Sequence, residues 1–189
     1  MHGGLIVPEP KITTKLFVAL AVCLLTVVSM GAKFGRKSAP PPPPTTTGYK
    51  PVMVYDASRD PDKDLQDAIA EATRIHKRIL MVVGGDWCVY CGMLDNAFDR
   101  YASLRKARDE NYVTLKVNYS KENPNAIFFS KYPKIPDYPH FFVLDSKGEL
   151  LHSEPTHHFE HGKTYNAGKI DAFLKKWSQP PRHWLNSVG

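Results

Sequence analysis

Cys88 and Cys91 stand two residues apart in the run Asp86-Trp87-Cys88-Val89-Tyr90-Cys91. Two thiols at that spacing can close a small disulfide ring and reopen it by exchange with another thiol, or they can supply half of a zinc site. The surroundings favour exchange. Ile79 to Val83 is an apolar run that ends in Gly84-Gly85, and Leu94, Ala97, Phe98, Tyr101 and Leu104 recur at helical spacing beyond the pair. A buried strand is therefore expected to run into the cysteines and one helix to start at them. Unpaired N–H groups and the positive dipole end of a first helical turn favour a thiolate. Leading cysteines in such motifs fall to pKa values of roughly 3.5–7.5, from about 8.5 for a free thiol. Cys88 is the expected nucleophile and Cys91, one turn deeper, the resolving thiol. Val89 and Tyr90 fill the ring and tune how readily it opens, while Trp87 offers a flat apolar surface to a partner chain. So short a loop removes little entropy from the unfolded chain, so stability is not the purpose of a bond here.

The zinc alternative lacks ligands. No second C-x-x-C exists, and 65 residues lie between Cys91 and His157, the first member of the suitably spaced pair His157 and His161. His152, His157, His158 and His161 are read as decoration of a solvated loop, and no metal is expected. Gly92 follows Cys91, so the haem-attachment pattern C-x-x-C-H is absent. The chemistry needs no cofactor beyond the Cys88–Cys91 couple.

Strand and helix signals alternate around this centre. Val52 to Tyr55 reads as a short strand, and Asp60-Pro61 supplies a cap and a first helical proline for a helix through Leu65, Ile69, Ala72 and Ile75. Val113, Leu115 and Val117 alternate as a strand, and Asn123-Pro124 opens a short helix. A proline-rich bend from Ile135 through Tyr138-Pro139 enters the strand His140 to Leu144. Asp145 to Gly148 has turn chemistry, so Glu149 to His152 should pair back as a hairpin. Ile170, Phe173, Leu174 and Trp177 mark a last amphipathic helix. The expected fold is α/β, a central mixed sheet flanked by helices.

The chain has 189 residues, 42% of them apolar and 23% charged, which suits one globular domain. Its net charge of +6 is placed unevenly. Residues 1–50 hold six Lys/Arg against Glu9 alone, leaving the remainder nearly neutral, so no basic face for nucleic acid is expected. Residues 16–32 carry only Thr26 and Ser29 as polar members, with Lys11 and Lys15 before them and Lys33, Arg36 and Lys37 after. This length is short for a spanning helix and long for a signal core. The basic residues beyond it favour an uncleaved anchor over an exported, cleaved form, and Cys23 within it reads as an apolar side chain in lipid. The expected organisation is a short tail over 1–15, a membrane segment over 16–32, a Pro/Thr-rich linker over 33–48, the folded domain over 49–178 and a tail over 179–189.

The strand leading into D-W-C-V-Y-C, the helix after it, and Tyr138-Pro139 ahead of H-F-F-V-L-D together resemble the thioredoxin-like family over about residues 52–177. The resemblance implies a thiol:disulfide oxidoreductase acting on the thiols or disulfides of client proteins. It implies a cis bond at Pro139, set beside the cysteines, with the adjacent backbone of Tyr138 and Pro139 pairing with substrate. It places Lys116 at the family's recurrent lysine. Val89-Tyr90 replaces thioredoxin's own Gly-Pro and looks closer to membrane-associated and extracytoplasmic members, so the domain is expected on that side of the membrane. The family's buried acid would fall at Val82 and is missing, with Asp86 as a candidate substitute acting through water. Rival functions are a peptide-binding module with a passive cysteine pair and a redox sensor.

Overall fold

The protein is described from a computed structural model over residues 48–178. The expected membrane segment with Cys23, both tails and all but the last residue of the linker lie outside the described residues. Among the described residues no helix is long and apolar enough to cross a membrane.

Helix α1 (Pro61–Ile75) starts where expected: the Asp60 carboxylate accepts from the Asp62 and Lys63 amides, and Pro61 occupies the first turn. His76 closes it in the left-handed region at φ 55°. Strand β1 (Arg78–Gly84) follows, then α2 (Val89–Arg100), α3 (Ala102–Asn111), β2 (Tyr112–Asn118) and the single turn α4 (Ala126–Phe129). Strands β3 (His140–Leu144) and β4 (Leu150–Pro155) form a hairpin. A 3-10 turn at Thr156–Phe159, the two-residue strands β5 (Glu160–His161) and β6 (Thr164–Tyr165), and α5 (Ala167–Lys176) complete the domain.

The main sheet has the order β2-β1-β3-β4, with β1 parallel to β2 and antiparallel to β3. Because β1 is central and covered on both faces, its side chains are apolar without alternation, as the sequence run suggested. Strand periodicity then sorts them. Ile79, Met81 and Val83 join Val113, Leu115, Val117, Phe142 and Leu144 in a layer with Ala68 and Ala72 of α1. Leu80 and Val82 join Phe141 and Val143 in a second layer with α2, α3 and α5, and this layer includes both cysteines. Burying each such Leu or Phe stabilises the fold by about 1.5–3 kcal/mol.

Three expectations are corrected. Val52 to Tyr55 is no strand: only Val52 bridges to Leu115, and the chain bends at Val54 toward a turn in which Asp56 accepts from Ser58. Leu94 through Leu104 do not share one helix. Tyr101 is extended at φ −106° and ψ 101°, its carbonyl starts α3, and Leu104 is buried on that second helix while Tyr101 is partly exposed. Spacing alone cannot register one extended residue inserted without Pro or Gly. The hairpin strand runs from Leu150 to Pro155 rather than 149–152, since Glu149 belongs to the turn and the register carries on to His140 opposite Pro155.

Candidate functional site

The cysteines sit where β1 stops and α2 starts. Cys88 is the N-cap of α2, in extended conformation, and Cys91 lies one turn into it. The two form a disulfide with a Cα–Cα separation of 5.2 Å. Cys88 Sγ accepts from the Cys91 amide at 3.1 Å, the position an oxygen cap would take. That donor and the helix dipole both favour negative charge on Cys88 once the bond opens. Both sulfur-bearing residues are buried, whereas Val89 between them is 69% exposed and Tyr90 about 39%.

The sheet carries Tyr138 and Pro139 to the same end. Val83 pairs with His140, so the residue before His140 lies level with Gly84, at the end of β1 that leads to the cysteines. The Tyr138–Pro139 peptide is cis, as the resemblance implied. Thr156 Oγ donates to the Pro139 carbonyl at 2.6 Å, and Tyr165 Oη lies 3.1 Å from the same hydroxyl. The Trp87 indole N–H donates to the Tyr119 carbonyl at 2.6 Å, its ring meets Tyr138 edge-on at 5.5 Å, and Tyr138 stacks on Tyr119 at 4.8 Å. Trp87 and Tyr119, with Ser120, Lys121 and Glu122, line a cleft of about 530 Å³. Burial, and the neighbouring Tyr119, push the Tyr138 phenol well above its ordinary range, so it remains a hydroxyl. Trp87, Tyr138 and Pro139 are thus assembled at one end of the sheet, and Val89 and Tyr90 project from the ring.

Glycine is needed at two points by close approach. A Cβ on Gly84 would lie 2.5 Å from Cys91 Sγ, and one on Gly85 would lie 2.5 Å from the Trp87 indole nitrogen and 2.9 Å from the Tyr119 carbonyl oxygen.

Beneath the pair, Val82 is buried where the family has an acid, and Asp86 is exposed. Lys116, level with Val82 across the β1–β2 ladder, is 8% exposed and donates to both oxygens of Asp95 at 2.6 and 2.7 Å. Its ammonium also lies 4.7 Å from the ring centre of buried Tyr55. Sequence reasoning missed Tyr119, Tyr55 and Asp95. Asp95 falls four residues after Cys91, one helical turn on, and that spacing could have flagged it.

His152 and His158 both bond Glu154, at 2.7 and 2.8 Å, and His157 packs edge-on against His158 at 4.3 Å while bonding Asp137. Among the described residues no group of three or more His, Cys, Asp or Glu is placed to hold a metal.

Residues 60–146 match the family model described as thioredoxin-like. The fold is thioredoxin-like. The domain is similar to a structure titled as a disulphide isomerase from Xylella fastidiosa Temecula1, at 25% identity and a TM-score of 0.52, over 65% of this chain and 94% of that one. It is also similar to a structure titled DsbH oxidoreductase, at 17% identity and a TM-score of 0.48, over 71% of this chain and 92% of that one. No curated protein matches the chain in sequence. The thioredoxin-like domain therefore carries a C-x-x-C disulfide at the start of α2.

Proposed function

We propose that this protein is a thiol:disulfide oxidoreductase for protein clients, tethered to a membrane through residues 16–32 and working as a reductase or electron relay on the extracytoplasmic side. The observation that carries the exchange chemistry is the Cys88 sulfur capping α2, where it accepts from the Cys91 amide. In the reducing direction the Cys88 thiolate attacks a client disulfide. A Cys88–client bond forms, the client S–S bond breaks, and one client sulfur leaves as thiolate. Cys91, deprotonated, then attacks Cys88 Sγ, the Cys88–Cys91 bond forms, and the second client sulfur leaves. The client disulfide gains the two electrons that the pair loses. No further cofactor takes part.

Trp87, Val89, Tyr90, Tyr138 and Pro139 form the client-binding rim in this reading. The exposure of Trp87 and Val89 beside a buried disulfide supports it, since large apolar side chains held in water mark contact surfaces. The tether rests on the apolar run of residues 16–32, and the extracytoplasmic side on the likeness of the C-x-x-C to such members.

The test uses the full chain in detergent micelles and a disulfide-bonded protein substrate. Cys88→Ser is expected to lose all exchange while keeping its fold, and Cys91→Ser to accumulate a mixed disulfide at Cys88. Full exchange by Cys88→Ser would refute the assignment. Equilibration with glutathione then gives the direction: a potential near −270 mV suits a reductase or relay, and one near −120 mV an oxidant.

A further inference from the structure

Beside the disulfide the protein buries a hydroxyl that no described residue holds. Tyr55 is 8% exposed and its Oη has no hydrogen-bond partner among the described residues. A buried polar atom left unpaired costs about 1–3 kcal/mol, so each one calls for a reason. The reason lies in what borders it. A Cβ on Gly84 would sit 2.9 Å from Tyr55 Oη and 2.5 Å from Cys91 Sγ, so the hydroxyl and the resolving sulfur share the space that glycine leaves open above the end of β1. The ring is held there by the Lys116 ammonium at 4.7 Å, itself fixed by Asp95 of α2. The other titratable groups that bear on the hydroxyl are Tyr165 of β6 and Asp86 of the loop before Cys88.

A disulfide sulfur is a weak acceptor, whereas a thiolate accepts strongly. We propose that Tyr55 is a redox-state-specific donor to Cys91: its hydroxyl stands unpartnered while the Cys88–Cys91 bond is closed and donates to Cys91 Sγ when the bond opens. This rests on the exchange chemistry proposed above and extends it to a residue of the 52–55 segment. Burial first, then the negative charge of Asp95, pushes the Tyr55 phenol well above its ordinary range. It therefore keeps its proton throughout and never serves as a base. When a mixed disulfide on Cys88 is resolved, the Cys91 proton goes to solvent. The Cys91 thiolate, held by the Tyr55 hydroxyl, attacks Cys88 Sγ. The Cys88–Cys91 bond forms, the Cys88–client bond breaks, and the client thiolate takes up a proton. The donor raises the thiolate fraction of Cys91 and stabilises the open form of the pair relative to the closed one.

The test is Tyr55→Phe in the full chain, equilibrated with reduced and oxidised glutathione. The equilibrium constant for closing the pair is expected to rise about tenfold, which for a two-electron couple lowers the potential by about 30 mV. In the Cys88→Ser background, Tyr55→Phe is expected to raise the Cys91 thiol pKa, read from thiolate ultraviolet absorbance, by about one unit, the same tenfold factor. A merely structural tyrosine would weaken both redox forms alike, and an unchanged equilibrium constant with an unchanged pKa overturns the proposal. Should Tyr55→Phe fail to fold, the wild-type chain labelled at tyrosine Cζ decides: the Tyr55 carbon resonance must move on reduction, and a resonance that stays put overturns it. The glutathione equilibrium needs no client. Failure on client disulfides would therefore sink the proposed function without touching this result, and normal client exchange with an unaltered Tyr55→Phe couple would sink this inference alone.

Discussion

The two faces of the β-sheet are built on different rules. The face under α1 is apolar as far as its edge at His140, with Ile79, Met81, Val83, Leu115, Phe142 and Leu144 fully buried and packed side by side. The opposite face begins the same way at Leu80, Phe141 and Val143, then admits Tyr55, Lys116 and the two cysteines into the same layer. Apolar packing tolerates any neighbour of the right volume, whereas each buried polar group on the second face needs a specific partner. One face supplies stability and the other places charge and donors under a reactive bond.

The largest effect on stability is expected from the first face. Phe142→Ala should destabilise the domain by about 3–5 kcal/mol through lost burial and a residual cavity. It should leave the potential of the cysteine pair unchanged, because Phe142 points away from the cysteines. Denaturant unfolding and glutathione equilibration on the same variant check both halves. A shifted potential would mean that the two faces are not independent.

Next in size is the pH dependence of His140, which lies at the edge of the dry face. It is 1% exposed, one nitrogen meets Ser153 Oγ at 2.8 Å and the other has no partner among the described residues. Burial lowers its pKa from 6.5 to about 4. Above pH 6.5 the ring is neutral in both states and adds no pH dependence. As pH falls from 6.5 to 4 the unfolded chain binds a proton that the folded one refuses, so stability is lost across that window, by about 2–3 kcal/mol. Carboxylates such as Glu71, held low by its Arg74 hydrogen bonds, add their loss only below about 4.5, their ordinary value. Unfolding free energies measured between pH 7 and 4.5 should therefore slope in the wild type and flatten in His140→Phe.

The contrast between the faces also explains what the sequence made legible. The apolar runs at 79–83 and 140–144, the capped start of α1 and the alternation at 113–117 are periodic signals, and each marks the element it suggested. Cys88, Cys91, Trp87 and Tyr138-Pro139 were visible because their types and order are unusual. Tyr55 was not, since a tyrosine after an apolar triplet carries no pattern, and Asp95 offered only its spacing of one helical turn from Cys91. Their meaning comes from the third dimension, where Gly84 lets Tyr55 and Cys91 share one space and Lys116 meets Asp95 across two elements. The helix break at Tyr101 was hidden for a related reason: its extended backbone serves the packing of Leu104, and no local residue announces it.

A smaller effect, of about 2 kcal/mol, is expected where the second face holds its charge. Asp95→Ala leaves the Lys116 ammonium buried without its carboxylate. The loss stays below that of a fully buried pair because Asp95 itself is 42% exposed and water can reach it. Replacing both, as Asp95→Ala with Lys116→Met, should recover most of the stability, since a methionine suits the surrounding core. A double variant no better than Asp95→Ala would show that Lys116 earns its place through the Tyr55 ring rather than through Asp95.

The smallest effect on stability should come from Trp87, at the solvent-exposed rim beside Cys88. Trp87 is 55% exposed, anchored by the Tyr119 carbonyl and by the edge of Tyr138. Trp87→Ala loses one surface hydrogen bond and a partial aromatic contact, worth about 1 kcal/mol together. Its effect on exchange should depend on the size of the substrate. A small disulfide such as oxidised glutathione needs only the Cys88 sulfur, whereas a protein client must lay its chain across the rim. Aromatic anchors at interfaces contribute about 1–2 kcal/mol, so exchange with a protein disulfide should slow about tenfold while the glutathione reaction stays within twofold or so. Equal slowing of both would place Trp87 with the reactive sulfur, as part of its electrostatic setting, and would extend the reactive part of the molecule outward by one residue.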